Sequence, residues 1–220
     1  MSTRDFKRKN VKATFCQGFC DHKEADFLDW LDRIEEHGEV LKDDKKAILI
    51  RSQFDGRDLV VKYYKYIGII HALGHALTCS RARYSWQVSL KMAKLNVPTP
   101  QALACVERAR CGIVHNSYFI YAFQEGFHLG EHAWLQPINQ FFSEPYYHEV
   151  LKTIISPLKQ HQISHGDFKM PNILMTPRGP VLIDLDQVRF HQYKPAFTRR
   201  HLEDLKRFRS DLPWNRATPH

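Results

Sequence analysis

The segment Ser164-His165-Gly166-Asp167-Phe168-Lys169-Met170-Pro171-Asn172-Ile173-Leu174 constrains this chain more than any other. Twelve residues after Asn172, the apolar pair Leu182-Ile183 leads into Asp184, Leu185 and Asp186. One acid therefore stands five residues before an amide, and a second acid follows inside an apolar strand. Three such groups can act together only if a packed scaffold on each side holds them. The flanking sequence supplies two scaffolds of different kinds.

Ahead of the segment the pattern is mostly that of strands. Phe27, Leu31 and Ile34 recur at helical spacing until His37-Gly38 stops them. Ala47-Ile-Leu-Ile and Leu59-Val-Val read as strands joined by the turn Phe54-Asp55-Gly56-Arg57. Trp86, Leu90 and Ala93 mark a helix whose exit, Asn96-Val97-Pro98-Thr99-Pro100, is stiffened by two prolines. Residues 102–107 and 118–123 read as two more strands, and Gln124-Glu125-Gly126 as a hinge. Beyond it, Tyr147, Val150, Leu151, Ile154 and Leu158 form a helical stripe with a kink expected at Pro157. The strand Val181-Leu-Ile and a final helix over about 198–210 complete the chain. The expected fold is α+β and bilobal, with a small antiparallel-sheet N-lobe, a mostly helical C-lobe and the motif at their junction. The boundaries read as a basic N-terminal segment at 1–21, an N-lobe at 22–123, a hinge at 124–126, a C-lobe at 127–213 and a tail at 214–220.

Charge narrows the choice of partner. The 220 residues carry a net charge of +8, which favours anionic partners such as nucleotide, phosphorylated glycan or an anionic membrane face. No acid lies between Leu59 and Val106, a stretch that holds Lys62, Lys65, Arg81, Arg83, Lys91 and Lys94. That stretch reads equally as a solvated basic face or as an anion-binding one. Five cysteines without framework spacing read as reduced thiols, and Cys16, Cys20 and His22 are too loosely spaced for a structural zinc clip. The N-terminus has no apolar core of a secretory signal. The longest apolar run, Ile67 to Leu77, is short and contains His71 and His75, so nothing reads as a membrane span. A cytoplasmic chain, free or peripheral on the inner face of a membrane, is expected. No stacking-aromatic or recognition-helix pattern points to nucleic acid.

The residues of the motif suit phosphoryl transfer, in which positioning dominates over covalent chemistry. Asp167 is placed to orient an acceptor hydroxyl and take its proton. Lys169, two residues on, is placed to neutralise transferring charge. Asn172 and Asp184 offer the hard oxygen donors that Mg²⁺ prefers, with Asp186 as an auxiliary. Lys62, closing the apolar run Leu59-Val60-Val61, is placed to reach ATP phosphates. His165 reads as a packing residue that holds the loop backbone rather than as a base. Each residue alone has an ordinary structural reading as a turn, a cap or a surface pair. Their order and spacing together carry the assignment.

His-Gly-Asp-Phe-Lys-x-x-Asn followed by Ile-Asp-Leu-Asp resembles the protein-kinase-like superfamily. More narrowly, Leu59-Val-Val-Lys62-Tyr-Tyr, Ser80-Arg81-Ala82-Arg83 with Trp86, Val97-Pro-Thr-Pro100, Val106-Glu107-Arg108 and Ser117-Tyr118 resemble the lipopolysaccharide-core kinases, the Kdo/heptose group. The similarity runs from about Gly38 to Arg209. It implies ATP- and Mg²⁺-dependent phosphorylation of a Kdo or heptose hydroxyl on the inner core glycan or its lipid-linked precursor. Three departures stand out. The helix Glu that usually pairs with the strand Lys is missing. The phosphate loop, Gly38-Glu-Val-Leu-Lys-Asp-Asp-Lys45, has one glycine, leaving Lys42, Lys45 or Lys46 to contribute charge. Gly166 replaces the Arg that often follows the loop His, which implies no control by activation-loop phosphorylation.

Three alternatives stay open. A small-molecule kinase of the aminoglycoside or choline type shares the motif, but its cationic substrates call for an acid-lined site. A peptide kinase needs a platform for which the 36 residues after Asp184 leave little room. A pseudokinase scaffold fits the weak phosphate loop, yet has no need of Asp167, Lys169, Asn172 and Asp184 together.

Overall fold

The computed structural model describes residues 2–65, 79–111, 113–130 and 145–211. The apolar run 67–77 and the tail 214–220 lie outside them. The chain divides into two compact units, Met1–Leu90 with Gln101–Phe123 and Lys91–Pro100 with Gln124–His220.

The first unit is a seven-stranded antiparallel sheet. Its elements are β1 (Thr3–Arg8), β2 (Val11–Cys16), α1 (Glu24–Asp32), α2 (Ile34–His37), β3 (Glu39–Asp43), β4 (Ala47–Phe54), β5 (Arg57–Tyr64), α3 (Arg81–Lys94, its residues from Lys91 on counted with the second unit), β6 (Ala102–Arg110) and β7 (Ile113–Ala122). The strand order is β1-β2-β6-β7-β5-β4-β3. Three strands were absent from the sequence reading. The segment taken as a basic N-terminal extension is the hairpin β1–β2, with Thr3 opposite Cys16 and β2 laid on β6. The stretch after Gly38 is strand β3, paired to β4 across a bulge between Val40 and Lys42. Both edge strands are charged, as unpaired sheet edges tend to be.

Side chains alternate across the sheet. One face holds Ala13, Phe15, Leu59, Val61, Leu103, Ala104, Val106 and Ile120, covered by Phe27, Leu28 and Leu31 of α1. Phe27 meets Phe15, Phe19 and Phe54 edge-on at 5.6, 5.3 and 5.1 Å, geometry that aromatic quadrupoles favour. The opposite face presents Ala47, Tyr64, Cys105 and Phe119 to Ala82 and Trp86 of α3. The N-terminal helix and α3 thus cover opposite faces of the sheet.

The second unit contains β8 (Phe127–His128), α4 (Pro145–Val150), a π-helical segment (Leu151–Ile155), α5 (Ser156–Gln160), β9 (Ile163–Ser164), β10 (Ile173–Thr176), β11 (Gly179–Leu182), β12 (Arg189–Phe190) and α6 (Lys194–Ser210). The helical stripe is present, with Val150, Ile154 and Leu158 buried. Its irregularity is the π segment, which immediately precedes the turn holding Pro157. Strands β8, β10 and β11 form one small sheet, and β9 and β12 another. The proline-rich exit after α3 is tied in by the Leu182 amide, which donates to the Pro98 carbonyl at 2.9 Å. Among the described residues, no helix is long and apolar enough to cross a membrane. All five cysteines are free; Cys16, Cys20 and Cys105 are buried, Cys79 and Cys111 exposed.

Candidate active site

The motif loop leaves β9 and enters β10 through a single 3₁₀ turn, Met170–Asn172. Asn172 Nδ2 donates to the Asp167 carbonyl at 2.8 Å and to Asp167 Oδ2 at 3.2 Å. Lys169 Nζ lies 2.9 Å from the same Oδ2. Asp167, Lys169 and Asn172 are thereby brought together. Partial burial raises the Asp167 pKa, but the Lys169 ammonium and the Asn172 amide outweigh it and hold the carboxyl below the usual carboxylate range.

The β10–β11 hairpin carries the other acid. Ile173 pairs with Leu182, and just past the ladder the Ile183 amide donates to the Asn172 carbonyl at 3.0 Å. Asp184 follows directly, in the left-handed region at φ 59° and ψ 65°. That conformation is disfavoured for a residue with a Cβ and is kept where surrounding structure over-determines it.

His165 is fully buried. Its Nε2–H donates to the Ile183 carbonyl at 3.1 Å, while Nδ1 accepts from the Asp167 amide at 3.3 Å. Burial pushes its pKa down, against the Ile183 carbonyl and the nearby acids Asp204, Asp184 and Asp167. A neutral imidazole with both nitrogens engaged ties the two acid-bearing loops together.

The residues that fix this loop were not legible in the motif. Asp204, buried on α6, accepts from the His165 amide at 2.7 Å and the Gly166 amide at 2.9 Å. Arg207 donates to the Gly166 carbonyl at 2.6 Å. Phe168 stacks on Phe208, their centroids 5.2 Å apart. The available signal was Phe197, His201, Asp204 and Phe208, the buried stripe of a basic helix with an acid in it. Gly166 sits at φ 84°, and a Cβ there would lie 2.8 Å from both Cβ and O of Gln187. The position therefore admits no arginine.

Lys62 belongs to the sheet unit. It is nearly buried, and register places it in one row with Lys42, Leu49, Phe119 and Cys105, on the face that α3 covers. Its Nζ lies 5.2 Å from the centroid of the Tyr64 ring. The missing helix Glu has a counterpart of reversed polarity. Arg83 of α3 binds Glu107 of β6 through Nε at 3.1 Å and Nη2 at 2.7 Å. Ser80 Oγ donates to the other Glu107 oxygen at 2.6 Å, and Arg83 Nη1 donates to Thr14 Oγ1 at 2.6 Å. The pair is largely desolvated, with side-chain exposures of 12% and 10%; both Arg83 nitrogens converge on Glu107 Oε2, which suits it to fixing the helix on the sheet.

The donor set fits Mg²⁺. Because the Asn172 amide group donates to Asp167, its oxygen is the atom left to offer a cation. Among the described residues no cluster of three or more His, Cys, Asp or Glu could hold a metal. One amide and one carboxylate are what Mg²⁺ uses when substrate phosphates and water complete its shell.

Residues 130–209 match the RIO domain, a family of atypical protein-kinase-like domains. No curated protein matches the chain. Among solved structures 1221 chains match. One is WaaP in complex with acyl carrier protein, with a TM-score of 0.57 and 17% identity over 82% of this chain and 73% of that one. Likeness at that identity speaks to the fold. The chain has the α+β protein-kinase-like fold, with an antiparallel-sheet unit and a helical one.

Proposed function

We propose that this chain transfers the γ-phosphoryl group of ATP to a sugar hydroxyl, Kdo or heptose, of the lipopolysaccharide inner core. The kinase-like fold and the RIO match support phosphotransfer. The resemblance of the sequence to the lipopolysaccharide-core kinases and the excess of basic residues support an anionic core glycan as acceptor. The observation that carries the reading is the convergence of Lys169 and Asn172 on one oxygen of Asp167.

Asp167 orients the acceptor hydroxyl. With its pKa held down it is a weak base, suited to taking the proton late, when bond formation to phosphorus is advanced. Lys169, with a side chain 40% exposed, has room to follow the phosphoryl group as charge moves. Asn172 and Asp184 hold Mg²⁺, which when bound neutralises phosphate charge and aligns the nucleotide. Lys62 contacts the phosphates. The basic helices α3 and α6 favour a lipid-linked precursor on an anionic inner-membrane surface, an attraction that salt would screen.

The test is transfer of labelled γ-phosphate from Mg²⁺-ATP to purified deep-core lipopolysaccharide acceptors, with and without acyl carrier protein. Asp167→Asn and Asp184→Asn should each lower transfer by on the order of a hundred- to a thousandfold with the fold intact. Full activity of Asp184→Asn would sink the metal assignment. ATP binding without label in any glycan would redirect the reading to another small acceptor or to a pseudokinase.

A further inference from the structure

We infer that two adjacent turns at one end of the sheet, β1–β2 and β6–β7, form a docking tip for an anionic lipid bilayer. The inference deepens the reading of the chain as peripheral on an anionic membrane. It names a contact surface apart from α3 and α6, built from residues outside the motifs of the kinase resemblance.

The two turns are neighbours. β2 lies on β6 in the order β1-β2-β6-β7, and the Ala109 amide donates to the Asn10 carbonyl at 2.8 Å. Arg8 pairs with Val11, so Lys9 and Asn10 make the first turn, and behind it Lys7 stands directly opposite Lys12. In the second hairpin Val114 faces Ala109 and Ile113 faces Arg110. Lys7, Lys9, Lys12 and Arg110 are all exposed. The acids close to them are already matched. Asp29 pairs with Arg8 at 3.7 Å, Asp32 with Arg108 at 2.5 Å and Glu107 with Arg83 at 2.7 Å, and Asp5 accepts from Thr14 Oγ1 at 2.7 Å. Lys7, Lys9, Lys12 and Arg110 make no ion pair among the described residues.

Lysines on a strand edge often serve only to block edge-to-edge pairing. That accounts for Lys7 on β1. It does not account for Lys12 or Arg110, whose strands are paired on both sides. Nor does it explain why Lys7 faces Lys12, since like charges directly opposed across a ladder are destabilising. Lys9 keeps a further cation at the apex in the left-handed region, at φ 34°, which glycine adopts without steric cost. Beside these cations Ile113 and Val114 are 43% and 37% exposed. Apolar side chains next to a basic cluster suit a bilayer: the cations meet the headgroups and the apolar pair enters the acyl boundary. A soluble polyanion would leave the apolar pair in water.

The test is co-sedimentation of the full chain with vesicles of phosphatidylglycerol and phosphatidylcholine in equal parts, and of phosphatidylcholine alone. Wild type should bind the mixed vesicles and not the neutral ones, and salt should weaken the binding. The double variant Lys7→Gln/Lys12→Gln should lower partitioning by about tenfold or more, and Lys7→Arg/Lys12→Arg should restore it. Ile113→Ser/Val114→Ser should also lower it, through lost apolar contact. An environment-sensitive dye on the exposed Cys111, with Cys79 replaced by serine, should shift to the blue on mixed vesicles only. Wild-type partitioning in both loss variants, or a dye spectrum indifferent to vesicles, would overturn the inference. So would tight binding to an acidic protein or to RNA with none to the mixed vesicles. Phosphate transfer to a delipidated core glycan should be the same in wild type and every variant. Its absence in wild type would count against the kinase reading and leave the vesicle result standing.

Discussion

Lys62 and Asp167 are held in contrasting ways. Lys62 stands on β5, whose eight residues all pair with β4 and six of them with β7, over a core of interlocked aromatic rings. Asp167 stands on a loop with one 3₁₀ turn, fixed by side chains that reach backbone groups: Asp204 to two amides, Arg207 to a carbonyl, His165 to one of each. A strand residue inherits its position from a ladder and from apolar burial, neither of which titrates. A loop residue depends on a few buried polar groups, and these respond to pH. The contrast predicts that the two units fail under different insults.

The largest effect should come from the aromatic core. Phe27→Ala should cost about 3–5 kcal/mol in denaturant unfolding, by lost burial and the cavity left behind. The cost should be the same above and below the histidine titration range; a strongly pH-dependent loss would break the contrast. Asp204→Ala comes next. It strips one buried and one part-buried amide of their acceptor and should cost about 2–3 kcal/mol while lowering turnover. Asp204→Asn, which keeps one oxygen, should fall between. Wild-type turnover in Asp204→Ala would show that the loop holds itself.

The smallest effect sharpens the comparison through pH. Burial depresses the pKa of His165, His191 and His201, all in the second unit. A base whose native pKa lies below its unfolded value binds protons more readily when unfolded. The associated stability is therefore present above about pH 6.5 and is lost as pH falls below it. Asp167, depressed in the native state, adds a later loss below the ordinary carboxylate range. Hydrogen exchange followed across this window should show β9 and α6 losing protection before β5 and β7. Simultaneous loss would mean that the units open together.

The sequence showed what repeats or clusters locally. Strands β4 to β7, α3 and the loop with Asp167, Lys169 and Asn172 were legible because apolar spacing and motif order are properties of neighbouring residues. The hairpin β1–β2 was obscured by the charge on Thr3–Arg8, although Val11-Lys-Ala-Thr-Phe-Cys ends on a run of four buried residues. Strand β3 was obscured because all five of its residues are exposed. Asp204 and the Arg83–Glu107 pair were illegible for a different reason. They join residues 24 to 39 positions apart, and only the tertiary fold selects such partners.

Gly166 carries a lesson about evolutionary reach. With its Cβ direction closed by Gln187, this position cannot acquire a phosphate-reading arginine by one substitution; the Gln187 backbone would have to shift first. A designer wanting to place this chain under phosphorylation control would therefore do better to start from surface helices than from the loop that bears Asp167.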